Sequence, residues 1–574
     1  MGMKKLAALV MALVLCLCAV SAMAATLVED GEELIQALKS GVSEIKLDCN
    51  IEFGDATCSV EYRTGKDNKK NVFFYVNKDA TIDFNGYKIL GGNSGNVAVF
   101  GLDEGAKLTL KNGAIQTNSD YIAVVDEKST LNIEEDMTIK ATGDGFGIFI
   151  LNGSTVNVKG TIESAGSYAI CGNGYVKDPT TINLLGNAKV SAKTMGIYHP
   201  HKGTVNVTDN ATLSGNVGVE MRSGTLNVSG NATIMTTGSG AASSVANGSG
   251  ATTENAAVAL SPHSTGNDVI FNLSGNAALI ANGDAAAIAA GKTTGQYGAS
   301  ENSVIDANVK GGNVEGDLVI EPDNNKIDLD VTGGTFNRYP GDYIDSDAAL
   351  VTVGNQEDVA FAVGSASIKE LVDEATQGDT KGLSITVISG KVDLVNVPAG
   401  VGVAAAPGAE AKVNGVKIEP MSESNPYPEI VSVPEMVDAN NKDYKNDLVY
   451  AGTGDVVLKS SDSFENFKQA ELYYNGKKIG TVTKESPKNP VMQASEGSIK
   501  VTVNGDEIAE MYGDYKLVIK SKWGEVSGTF TNKAPNVVVN LPQTGDDSNL
   551  LLWASMMVIT MVGFVLVSKK TRLN

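Results

Sequence analysis

Histidine is nearly missing from this chain of 574 residues: His199, His201 and His263 are the only three. Aromatic residues make up 6%. Cysteines number five, and two of them, Cys16 and Cys18, lie in the first 24 residues. Positive charge is short as well, with 45 Lys and Arg against 67 Asp and Glu and a formal net charge of −22. Each shortage excludes something. An acidic surface is a poor partner for nucleic acid or anionic lipid. Few aromatics leave few platforms on which a sugar ring could stack. The remaining cysteines leave one candidate disulfide, Cys49–Cys58, for an oxidising compartment. No cofactor is expected. The histidines are weak candidate metal ligands: His199 and His201 end one strand phrase, and His263 ends the equivalent phrase two repeats on. At about 4.8 Å per repeat His201 and His263 would sit roughly 10 Å apart, too far to share an ion.

What is present is concentrated first at the two ends. Met1 to Ala24 reads as a secretory signal, with Lys4 and Lys5, an apolar stretch from Leu6 to Val20, and Ala22-Met23-Ala24 as a small-x-small cleavage site. At the other end Leu541-Pro542-Gln543-Thr544-Gly545 precedes an apolar run, 550–568, and then Lys569, Lys570 and Arg572. About 18 apolar residues rising 1.5 Å each cover roughly 27 Å, enough for a thin hydrocarbon core. The basic cluster would stay on the cytoplasmic side. Loss of Lys4, Lys5 and the tail's net +1 would take the charge from −22 to −25.

This order of motif, apolar run and basic end resembles the sorting signal of LPxTG cell-wall proteins of Gram-positive bacteria, the substrates of sortase transpeptidases. The resemblance implies cleavage between Thr544 and Gly545 within a motif carried by Leu541, Pro542, Thr544 and Gly545. It implies an amide link from Thr544 to peptidoglycan, sortase as a partner, only transient membrane contact, and an extracellular, wall-anchored location.

The body repeats a short phrase: Leu131-Asn-Ile, Val156-Asn-Val, Ile182-Asn-Leu, Val205-Asn-Val, Leu226-Asn-Val and Phe271-Asn-Leu. With Asp83 and Thr109 placed in the same column, the first seven centres are 26, 23, 25, 26, 23 and 21 residues apart. Asp328 is expected to continue it. Alternation of apolar and polar residues marks strands with one buried face. A second strand follows a Gly-Asn turn, as at Gly186-Asn187, Gly230-Asn231 and Gly275-Asn276. A third follows that, as at Gly147-Ile-Phe-Ile150 and Gly218-Val-Glu220. Three short strands per ~24 residues describe one coil of a solenoid. The pattern resembles the surface β-helix proteins of Firmicutes, which implies a right-handed parallel β-helix. Stacked asparagines should form amide ladders.

The expected organisation is all-β. A signal peptide (1–24) precedes a capped parallel β-helix (25–354) and a short helix-plus-strand module (355–420). A Pro-rich linker (421–444), a β-sandwich stalk (445–533) and the sorting signal with its transmembrane segment (534–574) complete the chain. The N-terminal cap is a helix opening at Asp30-Gly-Glu-Glu33, which should block edge pairing. A second helix should open at Ser367. Two insertions, 236–254 and 291–303, read either as flexible, inert loops or as loops that contact a ligand.

Parallel β-helices host polysaccharide lyases and hydrolases, and glycosidic hydrolysis needs two carboxylates facing each other across the bond. The outward positions here are mostly Asn, Thr, Ser and Lys, so no catalytic residue is assigned. The expectation is a non-catalytic adhesin or binding scaffold for a glycan or protein of a host or neighbouring cell. A surface polysaccharide lyase or glycoside hydrolase is the alternative.

Overall fold

The computed structural model describes residues 25–533 apart from 54–59, 65–67, 93–96, 248–249, 292–302, 322–325, 355–358, 379, 381, 399, 419, 421–430, 433–435, 438–447, 451–454, 496 and 522–523. The chain divides into two compact units at Glu435/Met436.

Alternating residues in the first unit lie in parallel strands laid one on the next. Asn132 pairs with Asn157, Asn157 with Asn183, Asn183 with Asn206, Asn206 with Asn227, and Asn227 with Asn272. This is the first of three stacks. The second runs through Ile139, Ile162, Val190, Leu213, Ile234 and Leu279. The third is an 11-stranded sheet running through Ile148, Ile170, Ile197, Val219, Val258 and Ile288. The fold is therefore mostly β, with long parallel sheets in a β-helix-like arrangement.

Every second residue turns inward. Leu131, Val156, Ile182, Val205, Leu226 and Phe271 are fully buried, and they share one core with the inward residues of the other two stacks. Burying a side chain of this size contributes roughly 1.5–3 kcal/mol. The corner after the first stack takes a left-handed conformation in four successive coils. Gly186, Asp209, Gly230 and Gly275 take it, with φ between 57° and 71°. Glycine adopts this conformation freely and Asp tolerates it.

Two centres of the first stack differ from expectation. Asp83 lies beside Lys111, and Thr81 is the residue beside Thr109. At the far end Asp328 lies beside Asp306, and Asp330 occupies the asparagine column beside Asn308. Both strands are displaced by two residues, which keeps the same faces inward.

Helix α1 (Gly31–Ser40) closes the N-terminal end. The Asp30 carboxylate accepts from the Glu33 amide at 2.9 Å, and Glu33 reaches back to the Glu29 amide at 2.8 Å. Leu34, Ala37 and Leu38 are its buried face. At the other end the parallel order stops where Gly334–Phe336 pairs antiparallel with 361–363. Helix α2 (Ser365–Ala375) follows, opening two residues before the expected Ser367. Its Ser367 hydroxyl accepts from the Gly334 amide at 2.9 Å, fixing the helix to the closing strand. A separate small core then gathers Val351, Ile368, Val372, Ile385, Val403 and Val413. It begins slightly before the expected boundary at 355.

The second unit holds a four-stranded and a five-stranded sheet. Asn475-Gly476 forms a tight turn between paired strands, with φ of 46° and 81°. Asn504-Gly505 does not. There the Asn504 side chain caps a one-turn helix at Asp506. The expected linker includes Val431–Ser432, which pairs with Gly402–Val403 of the first unit.

Candidate functional site

Two faces of the first unit carry chemistry, and the first is the asparagine column. Asn157 Nδ2 donates to Asn132 Oδ1 at 2.8 Å, Asn183 to Asn157 at 2.7 Å, and Asn206 to Asn183 at 2.8 Å. Asn227 then donates to Asn206, and Asn272 to Asn227, each at 2.9 Å. Asn132 begins the series on the Thr109 hydroxyl. Asn308 leaves it by turning to Asp306. A parallel, shorter ladder joins Asn231, Asn210 and Asn187. From Asn132 to Asn227 each amide gives one N–H to the coil before it and accepts one from the coil after it.

At the N-terminal part of this flank an open groove of about 880 Å³ is lined by Glu44, Thr81, Thr109, Lys111, Glu134, Glu135 and Asp136. Three of its carboxylates are engaged with other coils. Glu134 pairs with Lys159 at 3.0 Å, Glu135 accepts from Asn187 at 3.0 Å, and Asp136 accepts from the Asn112 amide at 2.9 Å.

The second face is the outer side of the third sheet. Successive coils place Tyr121, Phe146 and Tyr168 above one another; Met195 pairs with Tyr168 on the next coil, and the ring of Tyr198, three residues further along that strand, stacks on Tyr168. Ring centroids are 5.3, 5.2 and 5.2 Å apart, with the last two pairs stacked. The Arg222 guanidinium closes the series 6.0 Å over the Tyr198 ring and donates to its hydroxyl at 3.0 Å. In this ladder Tyr168 uses both ring faces on its neighbours, so it offers its edge outward rather than a flat platform. Burial pushes the Tyr168 hydroxyl up to about 12, with nearby Tyr198, Cys171 and Glu220 adding to it.

Glu220 sits beside Tyr198 on the next coil and is fully buried. Its Oε1 accepts from the Ser261 hydroxyl at 2.7 Å and from the Thr253 amide at 3.0 Å, while Oε2 has no hydrogen-bond partner. Burial raises this carboxyl from 4.5 to about 7, against the opposing charge of Arg222 and the hydrogen bonds from Ser261 and Thr253. Thr253 belongs to an antiparallel hairpin, Ser243–Asn247 with Gly250–Glu254, in the segment expected to be a flexible loop. Between hairpin and sheet lies a pocket of about 330 Å³ lined by Ser244, Thr253, Ser261, Ala289, Val319 and Glu321, among others.

The histidines lie at the corner where the third stack turns into the first, and all three are buried. His199 donates from Nδ1 to the Ser223 carbonyl at 3.1 Å, which leaves Nε2 an acceptor, 3.3 Å from the Thr180 hydroxyl. His201 Nε2 is 2.6 Å from the same hydroxyl. One arrangement uses every proton: Thr180 donates to His199 and accepts from His201. His201 Nδ1 is then a buried lone pair without a partner. Burial holds His199 down to about 4. It holds His201 well below the usual imidazole range, and nearby His199 and His263 lower it further. Burial and then Arg222 bring His263 down to about 4. His201 and His263 pack against one short turn, at Gly172 and Gly174, where any β-carbon would overlap their rings. Among the described residues no group of three His, Cys, Asp or Glu could hold a metal ion.

Cys49 is a free thiol donating to the Glu29 carbonyl, and its expected partner Cys58 lies outside the described residues. So do the signal segment 1–24, most of the insertion 291–303, Leu541, Pro542, Thr544, Gly545 and the apolar run 550–568. Among the described residues no helix is long and apolar enough to cross a membrane.

Sequence reasoning did not single out Glu220 or the aromatic ladder. The ladder had a signal: Tyr121, Phe146, Tyr168 and Tyr198 recur in successive third strands. Glu220 had a weaker one, an acid where the same column elsewhere holds Val124, Phe149 and Ala259. No protein-family model and no curated protein matches this chain.

Proposed function

We propose that the chain is a surface protein attached covalently to the peptidoglycan of a Gram-positive cell. In this reading a right-handed parallel β-helix of three strands per coil is held out from the wall by a small β-sandwich stalk. It acts as a non-catalytic adhesin or binding scaffold for a glycan or protein of a host or neighbouring cell. The observation that carries the reading is the order of Leu541-Pro542-Gln543-Thr544-Gly545, the apolar run 550–568 and the basic end, together with Lys4, Lys5 and the apolar stretch Leu6 to Val20. Sortase would cut after Thr544 and pass its carbonyl to peptidoglycan, so the chain is a substrate there and not a catalyst. The non-catalytic part is supported by the flank, where the asparagine amides bond to one another and Glu134, Glu135 and Asp136 brace other coils.

Cell fractionation tests the anchor. Thr544→Ala should move the protein from the covalent wall fraction to the membrane and medium, and an unchanged wall fraction would refute sortase attachment. Binding of residues 25–540 to arrayed glycans and host proteins tests the adhesin. The groove at Glu44, Lys111, Glu134, Glu135 and Asp136 favours a second reading, a surface polysaccharide lyase or glycoside hydrolase. Depolymerisation of a glycan by the same fragment, abolished by Glu134→Gln, would establish that reading instead.

A further inference from the structure

The strands that hold the asparagine column hold a second column beside it. Thr130, Thr155, Thr181, Thr204 and Thr225 pair across successive coils, two residues before the asparagines from Asn132 to Asn227. Both columns face away from the core and are half-buried. Coils repeat at about 4.8 Å and the columns stand roughly 6.6 Å apart, so the face is a lattice about 19 Å long. Its ends are defined. Lys107 stands in the threonine column before Thr130, and Ile270 follows Thr225. Between them no outward position of the strands is charged, in a chain of formal net charge −22. We propose, on the reading of the first unit as a glycan-binding scaffold, that this Thr-x-Asn face binds an ordered polysaccharide of N-acetylated sugars, its stacked chains in step with the coils.

The repeat selects this ligand first. A column of amides joined N–H to C=O repeats at about 4.8 Å whatever carries it, because the hydrogen bond sets the interval. Acetamido groups of sugar chains stacked through such a column keep the interval of the coils. A ligand with that repeat engages every coil from Thr130 to Asn227 together, and one without it meets a single coil. Unused bonding capacity selects it next. An Asn amide has two N–H donors and two acceptor lone pairs. The ladder takes one N–H and one lone pair from each, which leaves one of either kind per coil for an acetamide. The threonine hydroxyls beside them meet the hydroxyls of the sugar. The face is also preorganised. Ladder bonds fix each Asn and a branched β-carbon restricts each Thr, so little side-chain freedom is lost on binding. Without charge, the face asks for no counter-charge from a neutral polymer. A polymer of plain glucose offers the hydroxyls but no amide.

Co-sedimentation of the secreted chain with crystalline chitin, the polymer of β-1,4-linked N-acetylglucosamine, tests the site against crystalline cellulose, which lacks the amide. Retention on chitin should exceed that on cellulose by about tenfold or more. Thr204→Lys, which places a charge in the middle of the lattice, should lower retention on chitin by about the same factor. Thr233→Lys, on the outer side of the second stack, should leave it unchanged. Circular dichroism and the melting temperature follow folding in both variants. Equal retention on the two crystals, no retention on chitin, or full retention in Thr204→Lys would overturn the site. Failure on chitin together with binding to other arrayed glycans would leave the scaffold reading standing, and failure on crystals and arrays alike would remove both. Should Thr204→Lys not fold, the wild-type preference for chitin over cellulose decides.

Discussion

Asn183 gives its side-chain N–H to Asn157 and takes one from Asn206, at 2.7 and 2.8 Å. It therefore joins two coils through one amide. Asn183→Leu should leave a half-buried acceptor on Asn157 and a donor on Asn206 unmatched, at about 1–3 kcal/mol. Urea unfolding of the secreted chain checks the magnitude. The same change at Asn308, which turns away to Asp306, should cost less.

Gly172 and Gly174 make room for imidazoles. Gly172→Ala would drive a β-carbon into the His201 ring, and overpacking of this kind costs typically about 1–3 kcal/mol. Combining it with His201→Ala should recover part of the loss. A double-mutant cycle with no coupling between the two would show that the ring is not what the glycine accommodates.

Acid should weaken the first unit through its histidines. His199 is held from 6.5 down to about 4, so folding favours its neutral form. The stability it contributes is complete above about pH 6.5 and is lost as pH falls toward 4, by roughly 3 kcal/mol. His201 and His263 act in the same direction. Glu220 opposes them, since its raised carboxyl gains stability over the fall from about 7 to 4.5. The pH dependence of the unfolding midpoint should therefore flatten in His199→Gln and steepen in Glu220→Gln.

In the second unit Glu471 is buried between Lys478 and Lys520, at 2.9 and 3.0 Å. Their hydrogen bonds hold its carboxyl down to about 2. Its contribution is present above about pH 4.5 and is lost as pH falls toward 2. Glu471→Gln should lower the melting temperature of this unit at pH 7 and lower it much less at pH 2.5. Calorimetry resolves the two conditions.

The three stacks, α1 and most strands of the second unit are readable from alternation and caps. What alternation does not carry is a slip of two residues. Asp83 and Thr81 point to the same side of the strand, as do Asp328 and Asp330, so the apolar pattern is equally satisfied by either register. The burial of Glu220 was hidden for a different reason. Its cover comes from Thr253, 33 residues away on a hairpin whose Ser, Gly and Ala composition reads as a loop. The histidines were placed at the right corner, but their depth depends on the missing side chains of Gly172 and Gly174 on another coil.

The asparagine column gives each coil the same upper and lower surface: one donor facing one neighbour, one acceptor facing the other. From Asn132 to Asn227 one position of this column is interchangeable with the next. Deleting or duplicating one whole period would leave every remaining amide matched, whereas losing half a period would strand several. Along this one column, chain length is thus a quantity that recombination can change in steps of one repeat while the amide ladder stays matched.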